Sequence, residues 1–365
     1  MVLLRQRGGA TTVPIEYRTG NLLEDDAEAL VNTVNCVGVM GKGIALQFKQ
    51  AYPRNFGEYE KACRKEEVRL GHMFVFDTGD LFDRKVIINF PTKRHWKAKA
   101  RLEDVAEGLI ALVEEVKRLN LKSVAIPPLG CGNGGLSWDR VRPMIEDAFK
   151  DMVDVSVRVY VPAGTPDNDS MSVNTVRPTL TRTRALLLRL MHSYSTAEHR
   201  LSLLEVQKLA YFLQAAGEPL KLNFVKGNYG PYAENLNHVL QRLEGHFIRG
   251  YGDRSRDAQI RLLPDTDDEV VRLLSEDIDA KTRLEQVSGV IWGFETPYGL
   301  ELLATVHWCA RSKRANETTL EELVESIHGW SQRKHHLFTT DHIGKAWDHL
   351  RSFRFLWNQA VFGRQ

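Results

Sequence analysis

The chain has 365 residues, 43% of them hydrophobic and 26% charged, with a formal net charge of only +2. That length supports two cores rather than one, and the composition is that of an ordinary globular protein rather than a disordered or fibrous one. No uncharged apolar run is long enough for a membrane span, the four cysteines form no C-x-x-C pair and so point to reduced thiols in a cytoplasmic protein, and so small a charge confines any nucleic-acid contact to a local patch.

Met1–Thr12 carries Arg5 and Arg7 but no apolar core after them, so it reads as a disordered leader rather than a secretory signal. Ile15–Tyr17 is a first short strand that ends at Thr19-Gly20-Asn21, and Ala29–Asn32 is a second. Val31–Lys49 then runs from strand into a loop with Gly38, Gly41 and Gly43, and into a helix whose apolar positions are Ile44, Leu46 and Phe48. Pro53–Lys65 reads as a helix, and Met73–Asp77 and Val86–Phe90 as strands. Leu102–Leu119 is the clearest helix: Leu102, Val105, Leu109, Leu112, Val113 and Val116 share a face, with Glu103, Glu107, Glu114 and Lys117 off it. Ser123–Ile126 is a strand ended by Pro127-Pro128, and a second glycine loop follows at Gly130–Gly135. Ser137 is placed to cap a helix that continues to Phe149, and Val155–Val161 closes the unit as a strand. Strands alternating with helices predict a layered α/β domain with a largely parallel sheet, with ligand loops at the carboxyl ends of the strands.

Pro162–Pro178 is rich in Pro, Gly, Thr, Asp, Asn and Ser and reads as a linker. The expected division is therefore a domain over 13–163, a linker over 164–179 and a helical domain over 180–365. Its helices are expected at Arg184–His192, Leu203–Ala216, Tyr232–Leu243, Asp267–Val287, Tyr298–Arg311, Thr319–His328 and Asp341–Phe355. Five tryptophans (Trp292, Trp308, Trp330, Trp347 and Trp357) supply bulk for a second core.

Three stretches carry chemistry. The first loop combines glycines, which let a ligand approach the backbone, with a helix N-terminus that favours an anion, the combination needed to hold a pyrophosphate. Gly41-Lys42-Gly43 has no Ser or Thr after it, so it is not a triphosphatase loop. Asn32 and Asn35 flank it with amides suited to ribose hydroxyls. Leu129-Gly130-Cys131-Gly132-Asn133-Gly134-Gly135, between a strand and a helix, makes a second anion cradle. Lys93, Arg94, His95, Trp96, Lys97 and Lys99 follow a central strand and interleave one aromatic with cations, the pattern for stacking on a base while neutralising phosphates. No metal-ligand spacing is present, and no cofactor is required.

Val31-Asn32-Thr33-Val34-Asn35-Cys36 followed by Gly41-Lys42-Gly43-Ile44-Ala45 resembles the first ligand loop of macrodomains, the ADP-ribose-binding fold. Ile88-Asn89-Phe90-Pro91-Thr92-Lys93 with His95-Trp96 resembles the catalytic-lysine segment of the DarG family, antitoxins that remove ADP-ribose from DNA. The resemblance spans Ile15–Pro162 and implies a macrodomain, a three-layer α/β/α fold with a mixed central sheet. It implies ADP-ribose binding by Asn21, Leu22, Asn32, Gly41, Lys42, Gly43, Ile44 and the loop Leu129–Gly135, with Asn21 standing where the family usually has Asp. It implies Lys93 and Asn35 as catalytic residues, and Arg94, His95, Trp96, Lys97 and Lys99 as DNA contacts. Lys93 acts on this reading either as proton donor to the departing base or as an amine nucleophile whose pKa Arg94 and Lys97 push down. Relatives acting on protein carboxylate esters place an Asp in the second loop, where this chain has only Asn133.

Leu204-Glu205-Val206-Gln207-Lys208-Leu209-Ala210-Tyr211-Phe212 and Tyr229-Gly230-Pro231-Tyr232 resemble the SocA-like antitoxin domains that form the helical half of the same family. The whole resemblance implies an antitoxin that frees ADP-ribose from thymidine bases of single-stranded DNA and binds a cognate DarT-like toxin through its helical half, with free ADP-ribose as product. Acidic runs at Asp265–Glu269 and Glu321–Glu325 are placed to face a basic groove on that toxin. The alternatives are a hydrolase of ADP-ribosyl esters or acetylated ADP-ribose, and a reader that binds ADP-ribose without cleaving it.

Overall fold

The computed structural model describes residues 15–80, 84–164, 166–195, 199–254, 258–312 and 318–354. The leader expected over Met1–Thr12, and Phe355 and Trp357 of the second half, lie outside those residues. The chain divides into two compact units, Met1–Val176 with Asp253–Ser255, and Arg177–Gly252 with Arg256–Gln365.

The first unit is a six-stranded sheet with helices on both faces. Its strands are β1 (Ile15–Arg18), β2 (Ala29–Asn35), β3 (Phe74–Asp77), β4 (Val86–Lys93), β5 (Ser123–Ile126) and β6 (Ser156–Tyr160), in the spatial order β1-β6-β5-β2-β4-β3. All neighbours pair parallel except β3, which runs antiparallel to β4. The helices are α1 (Ile44–Ala51), α2 (Pro53–Arg64), α3 (Leu102–Arg118) and α4 (Trp138–Phe149).

The period of two along each strand sorts side chains between the faces. Ala29, Val31, Ile88, Phe90, Val124, Ile126, Val157 and Val159 pack with the apolar stripes of α3 and α4. Leu30, Ile87 and Ala125 take the opposite phase and pack with Phe48 of α1. Val34, on that phase too, packs with Tyr59, Ala62 and Cys63 of α2. Gly108 lets α3 sit close on β4, since a Cβ there would meet the Phe90 ring at 2.2 Å. Ser137 holds the N-cap position of α4 as expected, but its side chain makes no cap bond; its backbone carbonyl accepts from Arg140 and Val141 instead.

Part of the stretch expected as a free linker is tied to this unit. Met171 is buried, and Asn174 donates its backbone N–H to Gln50 O and its side-chain amide to Ala51 O.

The second unit is mainly helical, with short strands that the pattern reading did not anticipate. It contains α5 (Arg182–Tyr194), β7 (Leu201–Ser202), α6 (Leu203–Ala215), β8 (Phe224–Gly227), β9 (Gly230–Ala233), α7 (Leu236–Leu243), β10 (Ile248–Arg249), β11 (Gln259–Leu262), α8 (Thr266–Leu274), α9 (Ile278–Ile291), α10 (Pro297–Ser312), α11 (Leu320–His328), α12 (Gln332–Leu337) and α13 (Thr340–Arg351). Tyr232, expected to begin a helix, lies in the β8–β9 hairpin, because Gly230-Pro231 supplies a positive φ and then a residue without N–H. The single helix expected over Asp267–Val287 is two, since Asp277 accepts from the Ala280 N–H and so starts a new one. Helix α6 starts in a capping box of Ser202 and Glu205 and is buried from Glu205 through Ala215.

Candidate active site

The end of β4 is organised by a bulge. Strands β2 and β4 keep register from Ala29 opposite Val86 to Val34 opposite Pro91, and then Asn35 pairs with Lys93. Thr92 is the extra residue. Pro91 has no N–H to offer the ladder, and the Thr92 hydroxyl donates to Val34 O at 3.3 Å. A bulge re-aims the side chain that follows it. Here it sets Lys93 opposite Asn35, with its Nζ donating to Trp96 O at 3.1 Å and to Asn133 O at 3.4 Å.

Burial lowers the Lys93 pKa below the ordinary lysine value. The expected push from Arg94 and Lys97 is not its source; both of those side chains point into solvent, where charges are screened.

The basic segment is pinned at both ends. Cys36 N–H donates to Arg94 O at 3.2 Å, and Ala100 N–H donates to Gly134 O at 3.0 Å. The intervening turn is closed by Ala98 N–H to His95 O. Arg94, His95, Trp96, Lys97 and Lys99 are all exposed, Trp96 at 45%. The Lys97 ammonium lies 4.9 Å from the Trp96 ring centre and the His95 ring 5.5 Å from it. A rigid backbone therefore presents one aromatic face among four cations or titratable rings.

The two glycine loops meet beside Lys93. A Cβ on Gly43 would lie 2.9 Å from the Asn133 amide nitrogen, and the Gly43 φ of +61° is one that L side chains rarely adopt. Gly43 N–H donates to the carbonyl of Asp253, a residue that groups with this unit. Lys42 is exposed, Gly41 is partly buried, and Ile44 opens α1 against the core. Helix α1 has no side-chain cap, so its N-terminus keeps the electropositive character that suits a pyrophosphate.

In the second loop Leu129, Gly130 and Gly134 are buried, while Gly132, Asn133 and Gly135 are exposed. Cys131 is partly buried, and burial pushes its thiol up to about 11, which disfavours the thiolate that a nucleophile needs. Gly134 has no room for a side chain: a Cβ would sit 2.4 Å from Gly130 O and 2.9 Å from the Ala100 Cβ. Gly134→Ala is therefore expected to open this loop and weaken binding of the ADP-ribose that the sequence resemblance implies at least about tenfold, roughly 1.4 kcal/mol. Calorimetric titration of the variant checks it, with circular dichroism to confirm that the sheet remains.

Several expected site residues have partners of their own within the fold. Asn32 shares the phase of Leu30 and Val34, so it faces the α2 layer, where its amide also lies 3.9 Å from the Met40 sulfur of the first loop. It is fully buried and donates to Asn89 Oδ1 at 2.9 Å; Asn89 in turn donates to Asn55 Oδ1 of α2 at 2.7 Å. Leu22 is buried in the core. Asn21 caps a short 3-10 turn over Leu22–Glu24; its Oδ1 accepts from Leu23 N–H and its amide donates to Glu24. Asn35 is turned onto its own loop: its Oδ1 accepts from the N–H groups of Val37 and Val39, and its amide donates to Val39 O at 2.6 Å. Pattern reading missed Thr92, Asn89, Asn55 and Tyr59. The shared phase of Asn32 and Asn89 on adjacent strands was the one signal for the buried amide ladder. Among the described residues no group of three or more His, Cys, Asp or Glu side chains is placed to hold a metal ion.

Known proteins resemble both this region and the whole chain. The Macro domain family model matches residues 31–145. Over 336 residues the chain is 48% identical to a DNA ADP-ribosyl glycohydrolase of Thermus aquaticus, covering 92% of each protein. Over 353 residues it is 43% identical to a DNA ADP-ribosyl glycohydrolase of Mycobacterium tuberculosis, covering 92% of this chain and 99% of that one. A DNA ADP-ribosyl transferase–DNA ADP-ribosyl glycohydrolase fusion protein of Thermosipho africanus matches at 32% identity over 158 residues, 39% of this chain and 40% of that one. Among solved structures, the macrodomain of Mycobacterium tuberculosis DarG is 56% identical and covers 41% of this chain and 99% of that chain, with a TM-score of 0.41.

Proposed function

The chain belongs to the DarG family of DNA ADP-ribosyl glycohydrolases, hydrolases built on a macrodomain, and from that membership we propose that it frees ADP-ribose from thymidine bases of single-stranded DNA with Lys93 at the breaking bond. One observation carries the reading: the Lys93 ammonium reaches the basic segment at Trp96 O and the second glycine loop at Asn133 O. The group that can give a proton thus lies between the surface suited to a DNA strand and the loop suited to ADP-ribose.

Breaking an N-glycosidic bond builds positive charge on the anomeric carbon and negative charge on the departing base. A thymine ring nitrogen lies between two carbonyls, so the leaving anion spreads onto their oxygens. An ammonium has three N–H donors, and two of them are taken by the backbone carbonyls of Trp96 and Asn133. The remaining N–H is available to the thymine oxygen, where charge develops. Water attacks the anomeric carbon as its bond to the thymine nitrogen breaks; the thymine anion takes a proton from Lys93, the proton lost by the attacking water restores the ammonium, and ADP-ribose is freed with its pyrophosphate between the two loops. Arg94, Lys97 and Lys99 hold DNA phosphates, and Trp96 offers a stacking face. Following release of ADP-ribose from a modified thymidine oligonucleotide tests this reading. Stable binding of the oligonucleotide without release would leave a reader in its place.

The second part of the proposal is neutralisation of a DarT-like DNA ADP-ribosyltransferase through the helical unit. The fusion of a transferase to a glycohydrolase in the Thermosipho africanus relative supports such a partnership. Of the two acidic runs, Asp265–Glu269 is a weak docking surface, because Asp267 pairs with Arg189 and Glu269 with Arg177. Glu321 and Glu325, exposed on α11, are the better candidates. The full chain carrying Lys93→Ala should still co-purify with the toxin and suppress DNA labelling by it. If it does neither, protection comes from enzymatic reversal alone.

A further inference from the structure

Tyr59 lies on α2, fully buried, in the cluster formed by Val34, Met40, Ala62, Cys63 and Val68, with its ring 6.3 Å from that of Phe74. Packing accounts for the ring. It does not account for the hydroxyl, which reaches out of the cluster to the ligand-loop strand and donates to the Asn35 backbone carbonyl at 2.6 Å. The same oxygen lies 3.4 Å from Asn35 Oδ1. Burial holds the phenol pKa well above its ordinary value, so the hydroxyl keeps the proton it donates.

Asn35 is the residue through which the site is held together. Its backbone is the last rung of β2 and pairs with Lys93 across the bulge. Its side chain closes the turn to Val39 with three hydrogen bonds. The next N–H along, that of Cys36, fixes Arg94 at the start of the basic segment. One carbonyl therefore sits at the junction of the first ligand loop, the Lys93 strand and the DNA-facing segment, and Tyr59 donates to it from the layer beneath the sheet.

We propose that Tyr59 is a positioning residue for the glycohydrolase reaction, its hydroxyl clamping Asn35 so that the first loop and Lys93 keep the register that the bulge creates. This rests on the reading of Lys93 as the group at the breaking bond. It also gives Asn35 a role other than direct ribose contact: its polar atoms hold the loop closed, and Tyr59 holds Asn35. Losing such a hold shifts reacting groups by fractions of an ångström, which affects the rate more than binding.

The test is Tyr59→Phe in the full chain, which keeps the ring and its packing and removes only the hydroxyl. The expected result is a kcat for ADP-ribose release from modified oligonucleotide lower by about tenfold or more, with KM changed by less than about twofold. Hydrogen exchange of the Val37 and Val39 amides should speed up with no matching change in α3 or β5. A purely structural role would lower the melting midpoint and leave kcat per folded molecule at the parent value. That outcome overturns the proposal, as does unchanged exchange at Val37 and Val39. If the parent protein itself releases no ADP-ribose, the functional reading fails, and the claim about catalysis fails with it, while the exchange measurement still decides whether Tyr59 clamps the loop.

Discussion

Lys93→Ala is expected to slow release of ADP-ribose from modified single-stranded DNA by about 10²–10⁴-fold, the usual contribution of one positioned acid or base. Binding of free ADP-ribose should stay near that of the parent, because the second loop is held mainly by its own backbone bonds, such as Leu136 N–H to Gly130 O at 3.0 Å and Ala100 N–H to Gly134 O at 3.0 Å, and loses with Lys93 only the longer contact to Asn133 O at 3.4 Å. Single-turnover release and calorimetry on the same preparation separate the two. Lys93→Arg adds a second discrimination. A guanidinium can still donate to the departing base but cannot attack the anomeric carbon, so partial activity in this variant supports the donor role and none supports the nucleophile. The pH profile gives a third. Burial lowers the Lys93 pKa, so the ammonium is lost at a lower pH than for an ordinary lysine. A donor therefore predicts activity that declines on the alkaline side, earlier than an ordinary lysine would; a nucleophile predicts activity that climbs through the same range. If Lys93→Ala turns over at the parent rate, the amine is only a contact between the loop and the basic segment.

Glu301→Leu is expected to destabilise the helical unit by about 3–5 kcal/mol, the cost of leaving a buried charge without its partner. Glu301 is 2% exposed on α10, and Lys334, wholly buried on α12, donates to its Oε1 at 2.8 Å and to Thr305 Oγ1 at 3.0 Å. Arg333 grips the same carboxylate through both terminal nitrogens, at 2.5 and 3.0 Å. Burial pushes the Glu301 pKa up, but these hydrogen bonds outweigh it and hold the group below the usual carboxylate value, so it is charged at neutral pH. A second buried lysine lies close by: Lys208 on α6 donates to Pro231 O, and burial brings it down to about 7, with Glu301 opposing and Lys334 adding to the shift. Without Glu301, Lys334 must lose its proton or draw in water. Urea unfolding of the full chain, with hydrogen exchange in α6 and α10 to identify the unit that opens, measures the effect. Adding Lys334→Met to Glu301→Leu should recover much of the loss, because a buried pair replaced by apolar side chains of similar size is often close to neutral. Release of ADP-ribose from DNA should survive in both variants, since its proposed residues all lie in the first unit.

The order of strands and helices in the first unit, the two glycine loops and the basic segment were legible in the residues themselves. Each depends on neighbours within a few positions: a period of two, a stripe along Leu102–Leu119, or glycines where the backbone takes a positive φ. The helical half was legible more coarsely. Its apolar runs marked most helices, but Gly230-Pro231 turned Tyr232 into a strand, and Asp277 split one expected helix in two. The packed structure alone revealed that Asn32 points into the α2 layer, that Asn35 closes its own loop, and that Lys93 reaches both Trp96 and Asn133. These depend on which residues from distant positions face one another, as with Asn32 and Asn89, 57 apart, or Tyr59 and Asn35, 24 apart. They also depend on a single inserted residue, Thr92, because one extra position in a strand exchanges the faces of every side chain that follows.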